Sequence, residues 1–127
     1  MIINTPISLG ELIDKISILK IKQKNIQDKK KLILINEELS LLESTLEDSV
    51  NDKKISLYLS NLLSVNEKLW KIEDDIRDCE RKKKFDENFI ELARSVYINN
   101  DKRSEIKLEI NKKFGSKIIE VKSYEKY

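Results

Sequence analysis

The chain has no histidine, one cysteine, one proline and two glycines among its 127 residues, and each shortage removes a class of chemistry. Without histidine there is no Ser-His-Asp or Cys-His nucleophile and no imidazole-ligated zinc; two glycines cannot build a glycine-rich phosphate loop. The lone Cys79 can form no internal disulfide, which agrees with a reducing compartment. The longest purely aliphatic run, Leu32-Ile33-Leu34-Ile35, falls far short of the roughly 20 residues of a membrane span. The first residues carry no basic region followed by an apolar stretch, so no membrane insertion is expected and the cytoplasm is the expected location. No charge of one sign dominates: 25 Lys and Arg oppose 23 Asp and Glu. A balance that close predicts no nucleic-acid partner on electrostatic grounds.

What is present is a nearly equal mixture of hydrophobic (39%) and charged (38%) residues, too apolar for a disordered polyelectrolyte and too charged for a membrane protein. The length suits one domain, residues 1–127, and the patterning predicts an all-α fold: an antiparallel bundle of about five helices with one long central helix and a short extended C-terminal tail. Pro6 biases Thr5 toward extended geometry, and Ser8-Leu9-Gly10-Glu11 reads as a capping box opening the first helix, which runs to about residue 27. Leu12, Ile16, Leu19 and Ile26 share one face of it, while Ile18 and Ile21 form a second apolar strip that calls for a second neighbour, another subunit included.

The next helix, about 29 to 49, carries Leu32, Ile35, Leu39, Leu42 and Leu46 at coiled-coil spacing and should pack antiparallel on the first. After a polar break at residues 50–53, Tyr58, Leu62, Val65, Leu69, Ile72, Ile76 and Cys79 continue that alternation along a helix of about 30 residues, roughly 45 Å long. This is the expected spine, closed by basic residues from Arg81 to Lys84 that suit the negative end of its dipole. Asp86 caps a fourth helix to about Ile98, with Phe85 placed to staple onto Ile90. Asn100 or Asp101 caps a fifth, ended by Gly115. The tail's Ile118-Ile119-Glu120-Val121 segment is expected to be extended, alongside Ile2-Ile3.

A site is suggested where the spine changes character. Leu59, Leu63 and Trp70 flank its seam in the same direction as Asn66, Glu73, Arg77 and Glu80, so an apolar flank turns polar halfway along. A solvated surface with an ordinary Glu73–Arg77 pair explains this, and so does a partly buried polar network beside Trp70, where any desolvated charge must be paired or bind something. Basic residues are 21 Lys and only four Arg, at 77, 81, 94 and 103, all in the second half. Arg marks places where a planar fork matters. Arg94 neighbours Ile90 and Tyr97, and Arg103 and Lys107 border Ile106 and Ile110, so folding of the last helices on the spine would bring Arg77, Arg94, Arg103 and Lys107 to Glu73 and Glu80. Balanced pairs would make a structural lock, with Glu87, Glu91, Asp101 and Glu105 available to neutralise the excess; surplus cations would make an anion pocket. The candidate polar network is therefore Trp70, Glu73, Arg77, Glu80, Arg94, Tyr97, Arg103 and Lys107. No nucleophile stands beside a base, and no cofactor is expected. A Mg²⁺ site on Glu11 and Asp14 with Glu73, Asp74 and Asp75 is the remote alternative, since capping already explains Glu11.

Gly10-Glu11-Leu12-Ile13-Asp14-Lys15-Ile16, Asn66 through Arg77 with Cys79-Glu80, Glu91 through Tyr97, Asn100-Asp101 and Lys122-Ser123-Tyr124 together resemble a bacterial family of short helical proteins of unknown function. Leu9 stands where that family often has Pro, and Lys84 replaces a turn residue. The resemblance implies a small cytoplasmic protein, sometimes accompanying glycosyltransferases of surface polysaccharide synthesis, and no known activity. Two functions compete: a nonenzymatic interaction or assembly module, self-associating or holding a protein partner, and an anion-binding protein or small enzyme acting on a phosphorylated metabolite or nucleotide sugar.

Overall fold

A computed structural model describes all of residues 1–127 and contains four helices: α1 (Leu9–Asn25), α2 (Lys29–Ser49), α3 (Ile55–Lys82) and α4 (Glu87–Lys113). Local signals set most boundaries. The Ser8 hydroxyl accepts from the Glu11 N–H at 3.1 Å, Asp28 accepts from Lys31 N–H at 2.9 Å, and Asp86 accepts from Phe89 N–H at 3.2 Å. The capping box at α1 is only half formed, because the Glu11 carboxylate turns away to Lys107. α3 ends where Lys83 adopts φ 53° and its N–H and that of Lys84 close onto Glu80 and Cys79, a C-terminal cap usually given to glycine.

The fourth and fifth helices expected from the sequence are one, α4. Asn100 and Asp101 are cap residues by type, but no Gly or Pro breaks the chain there and the inward stripe continues in register through Leu92, Val96, Asn99, Arg103, Lys107, Ile110 and Phe114. The Asn99 amide donates to the Ser95 carbonyl at 2.8 Å within the helix, so that side chain is satisfied without an interruption.

Two apolar clusters divide α1 between its neighbours. Leu12, Ile16 and Leu19 pack with Ile35 and Leu39 of α2; Ile13, fully buried, packs with Tyr58, Leu62 and Val65 of α3 and Ile110 of α4. α1, rather than α3, is the element whose backbone runs close to all three others; α2 lies chiefly against α1, with its Leu46 reaching the cluster around Tyr58 and Leu62. The arrangement is not antiparallel throughout. α2 and α4 oppose α1, but α1 and α3 run the same way, Ile13 sharing a cluster with Tyr58 and Leu62 while Ile18 and Ile21 line a concavity with Leu69 and Trp70. Of the second apolar strip of α1, Ile21 is buried beside α3, whereas Ile18 is half-buried and lines that concavity.

Gly10 is required by the crossing of α1 on α4. A Cβ at this position would stand 2.6 Å from the Lys107 carbonyl oxygen and 3.0 Å from the Asn111 side-chain oxygen. That close approach lets the Gly10 N–H donate to Asn111 at 2.7 Å. Residues 114–127 leave the helix and run along α4 without becoming a strand. No backbone hydrogen bond joins Ile118–Val121 to Ile2–Ile3; Glu120 and Tyr127 are held by α4 instead.

Candidate functional site

The charged centre of the molecule lies between α1 and α4 and is fastened to α3. On α1, Gly10, Asp14 and Ser17 follow one another at steps of four and three; on α4, Arg103, Lys107 and Asn111 do so at steps of four. Antiparallel packing sets them opposite each other in three rungs: Gly10 with Asn111, Glu11 with Lys107, Asp14 with Arg103. Asp14 is completely buried. Its Oδ1 accepts from Arg103 Nε at 2.9 Å and from Asn66 Nδ2 at 2.9 Å, and its Oδ2 accepts from the Arg103 terminal nitrogen, a two-pronged pairing. Asn66 also donates to the Ser17 hydroxyl at 2.7 Å, and that hydroxyl donates to the Asp14 carbonyl at 2.7 Å.

Lys107, 8% exposed, donates to Glu11 Oε2 at 2.7 Å and to Glu120 Oε2 at 2.9 Å, with Asp14 at 4.0 Å. Burial works against its charge, but the hydrogen bonds to Glu11 and Glu120 and the field of Asp14 prevail, holding its ammonium above the usual lysine range. The Arg103 guanidinium is raised as well, first by its hydrogen bonds to Asp14. Glu120 is pulled down to about 2 by Lys122, 2.6 Å away, and then by Lys107. Arg103, Lys107 and Lys122 thus meet Asp14, Glu11 and Glu120 charge for charge. No buried side-chain nitrogen or oxygen is left without a hydrogen-bond partner.

Six of the eight residues singled out in the sequence are distributed over two concavities, with Arg103 on the wall between them. Trp70, Glu73, Arg77 and Arg103 line a cavity of about 500 Å³ with Ile18, Ile21 and Asn66. Tyr97, Arg103 and Lys107 line another, of about 640 Å³, beneath the C-terminal segment with Glu11, Glu120 and Tyr127. Tyr127 lines this second cavity, its ring edge-on to Tyr97 at 5.3 Å and its hydroxyl donating to Asp101 at 2.7 Å, a bond that raises the phenol's pKa and disfavours its ionisation. Glu73 and Arg77 form an exposed pair one turn apart on α3. Glu80 and Arg94 join neither cavity; Glu80 pairs with Lys83, and Arg94 is exposed on α4.

The carboxylates expected to neutralise the cations, Glu87, Glu91, Asp101 and Glu105, do not do so for Arg103 or Lys107; Asp14, Glu11 and Glu120 do. The same engagement breaks up the Mg²⁺ set, with Glu73 held by Arg77 and Asp75 by Lys71, and no group of three or more ligating side chains converges on a metal position. Asp14, Ser17, Asn111, Glu11, Asn66 and Glu120 are the network members outside those eight, Asp14 being weighed in the sequence only as a Mg²⁺ ligand, Glu11 as that and as a cap, and Asn66 only as part of the polar flank. For the first three a signal existed: small or polar residues at helical spacing, in phase with Gly10 on α1 and with Arg103 on α4, amid otherwise apolar faces.

Compared with protein families, residues 3–127 match the model of one described as a family of unknown function (DUF6165). Neither the curated proteins nor the solved structures give a match. No helix of the chain is long and apolar enough to cross a membrane.

Proposed function

The chain belongs to DUF6165, a family of unknown function, and from its geometry we propose that it is a nonenzymatic interaction module: a cytoplasmic, self-associating helical adaptor that holds proteins together in an assembly. One observation carries this reading. α2 packs through one side only, chiefly on α1, and its far side leaves Ile33, Leu34 and Leu41 exposed at 59%, 66% and 53%. Apolar residues scattered singly over a surface are ordinary, whereas several gathered on one unpartnered helix face are a common mark of a docking surface. The polar centre supports the same reading, since its cations are already matched by the chain's own carboxylates and serve to fix α1, α3 and α4. Glycosyltransferases of surface polysaccharide synthesis, the company implied by the family resemblance, are the first partners to test. Light scattering over a concentration series, alone and with such a partner, should show mass above the monomer or a stable complex. A strict monomer that forms no complex refutes the proposal.

The 640 Å³ cavity under the C-terminal segment favours a second reading, in which a ligand carboxylate or phosphate displaces Glu120 from Lys107 beside Arg103 and Tyr97. A thermal-shift panel of nucleotides and sugar phosphates tests it, because ligand at about 100 times its dissociation constant adds roughly 2.7 kcal/mol. No shift, or an equal shift in Lys107→Met, eliminates this site.

A further inference from the structure

We infer that the outer face of α2 pairs antiparallel with the same face of a second copy, about a two-fold axis near Glu37. This rests on reading the chain as a self-associating module, and it names the surface and the partner.

Ile33, Leu34, Glu37, Leu41 and Ser44, with Lys30 and Asp48 at the two ends, are all exposed and recur at helical spacing on the side of α2 away from Ile35 and Leu39, which pack on α1. Charge on this side is segregated. Lys30 lies on it in the first turn with Lys29 at its margin, Glu37 stands at the middle with Glu38 at the other margin, and Asp48 lies in the last turn beside Glu47. The one ion pair α2 makes within the chain uses Glu43, with Lys20 at 2.8 Å, so the charges of the outer face are free.

That layout discriminates between orientations. A parallel pair of α2 helices would set Lys30, Glu37 and Asp48 each against its own copy, so that every charge on the centre line of the face would meet its like. An antiparallel pair with Leu34 opposite Leu41 of the second copy places Lys29 one residue, about 1.5 Å along the axis, from the level of Glu47 of the second copy. Lys30 then lies three residues, about 4.5 Å, from the level of Asp48 of the second copy, within the reach of a lysine side chain. Both contacts occur twice by symmetry, and the helix dipoles oppose. Like charges meet only at the centre, where Glu37 faces its own image. Ile33, Leu34 and Leu41 from each side fill the strip between the charged ends, with the small Ser44 leaving room for Ile33 of the other copy.

The size of the face sets the strength. α2 has 21 residues, hence about 31 Å of length, and one helix face of that length covers about 500 Å² per copy, or about 1,000 Å² in total. This is the lower limit of a specific interface, so the dimer is expected to be weak and the titration must reach high micromolar concentration.

Sedimentation velocity on the full chain between about 1 and 500 µM reads the association directly. The wild type should pass from monomer to dimer, Leu41→Glu should weaken the dimer by at least about tenfold, and Glu37→Gln should tighten it a few-fold. The decisive arm uses Lys30→Glu and Asp48→Lys: each alone should weaken self-association, and an equimolar mixture should restore it as a heterodimer, because opposite charges then face each other at both ends. All four positions are exposed, and circular dichroism confirms that each variant keeps its helices. A dimer indifferent to Leu41→Glu and to the charge exchange overturns the α2 pairing while leaving self-association standing. A chain that stays monomeric yet binds another protein overturns the second copy as partner. A chain that does neither overturns the module reading as well.

Discussion

Replacing Arg103 with Met tests whether the α1–α4 rungs are a structural lock. Met fills much of the space of the arginine stem but removes the two-pronged donor from Asp14, whose side chain is 1% exposed. Removing one partner of a buried ion pair ordinarily costs about 3–5 kcal/mol. Asp14 keeps the Asn66 amide at 2.9 Å, and Lys107 at 4.0 Å can move closer only by loosening its bonds to Glu11 and Glu120, so the cost here is expected near the lower limit, about 3 kcal/mol. Over 127 residues the unfolding entropy is about 0.27 kcal/mol/K, which turns that loss into a fall of about 11 °C in Tm. Calorimetry with urea titration measures it. The double variant Asp14→Asn/Arg103→Met separates lost packing from a stranded charge: with no buried carboxylate to strand, it should regain about 2 kcal/mol over Arg103→Met alone. A loss below about 1 kcal/mol in the single variant, or a double variant no more stable than it, refutes the lock.

Gly10→Ala should cost about 1–3 kcal/mol in urea unfolding, since its Cβ would meet the Lys107 carbonyl at 2.6 Å and force α1 off α4; a neutral result would mean the crossing is looser than described. Lys83→Gly should raise stability by about 0.5–1 kcal/mol, because φ 53° strains a lysine and not a glycine, and the exposed pair with Glu80 that is lost contributes little. The Glu120 carboxyl lies below its unfolded value of 4.5, so its contribution is complete above about pH 4.5 and is lost as pH falls toward about 2. Its side chain is 40% exposed, and screening reduces that contribution to about 1 kcal/mol. Release of the C-terminal segment over that interval should appear as averaging of the Tyr127 ring resonances in NMR, and Glu120→Gln should show the same averaging at neutral pH; resonances that do not move would show that Tyr127 alone holds the segment.

The caps at Ser8, Asp28 and Asp86 and the three-and-four spacing of α2 and α3 are local properties, and the sequence displays them directly. The junction at Asn100-Asp101 carries an equally local cap signal, but the stripe from Leu92 to Phe114 keeps one phase across it, and packing against α1 and α3 holds the helix intact. Arg103 and Lys107 were legible as site residues through the rarity of Arg and their place beside an apolar stripe. Their partners were not. Asp14, Glu11 and Glu120 lie 89, 96 and 13 residues away in the chain. Spacing along α4 tells which side chains share its inner face, and nothing about which other helix will face them.

The geometry of α1 explains why the charges sit at the centre rather than on the flank of α3. Three sides of this helix are claimed: Leu12, Ile16 and Leu19 by α2, Ile13 by α3 and α4, and Gly10, Asp14 and Ser17 by the polar rungs. Apolar contact between α1 and α4 would tolerate a slip of one turn, about 5.4 Å, at modest cost. The rungs do not. A slip that carried Lys107 from Glu11 to Asp14 would carry Asn111 from Gly10 to Ile13, leave Arg103 facing Ser17 without a carboxylate, and place no acceptor before the Gly10 N–H. Each rung has a different donor and acceptor, so only one register satisfies all three, and fixing register is the best-attested use of buried polar groups. With its sides thus occupied, α1 offers little surface to a partner, whereas the outer face of α2, proposed above as the self-association surface, is exposed and can be covered without disturbing the lock.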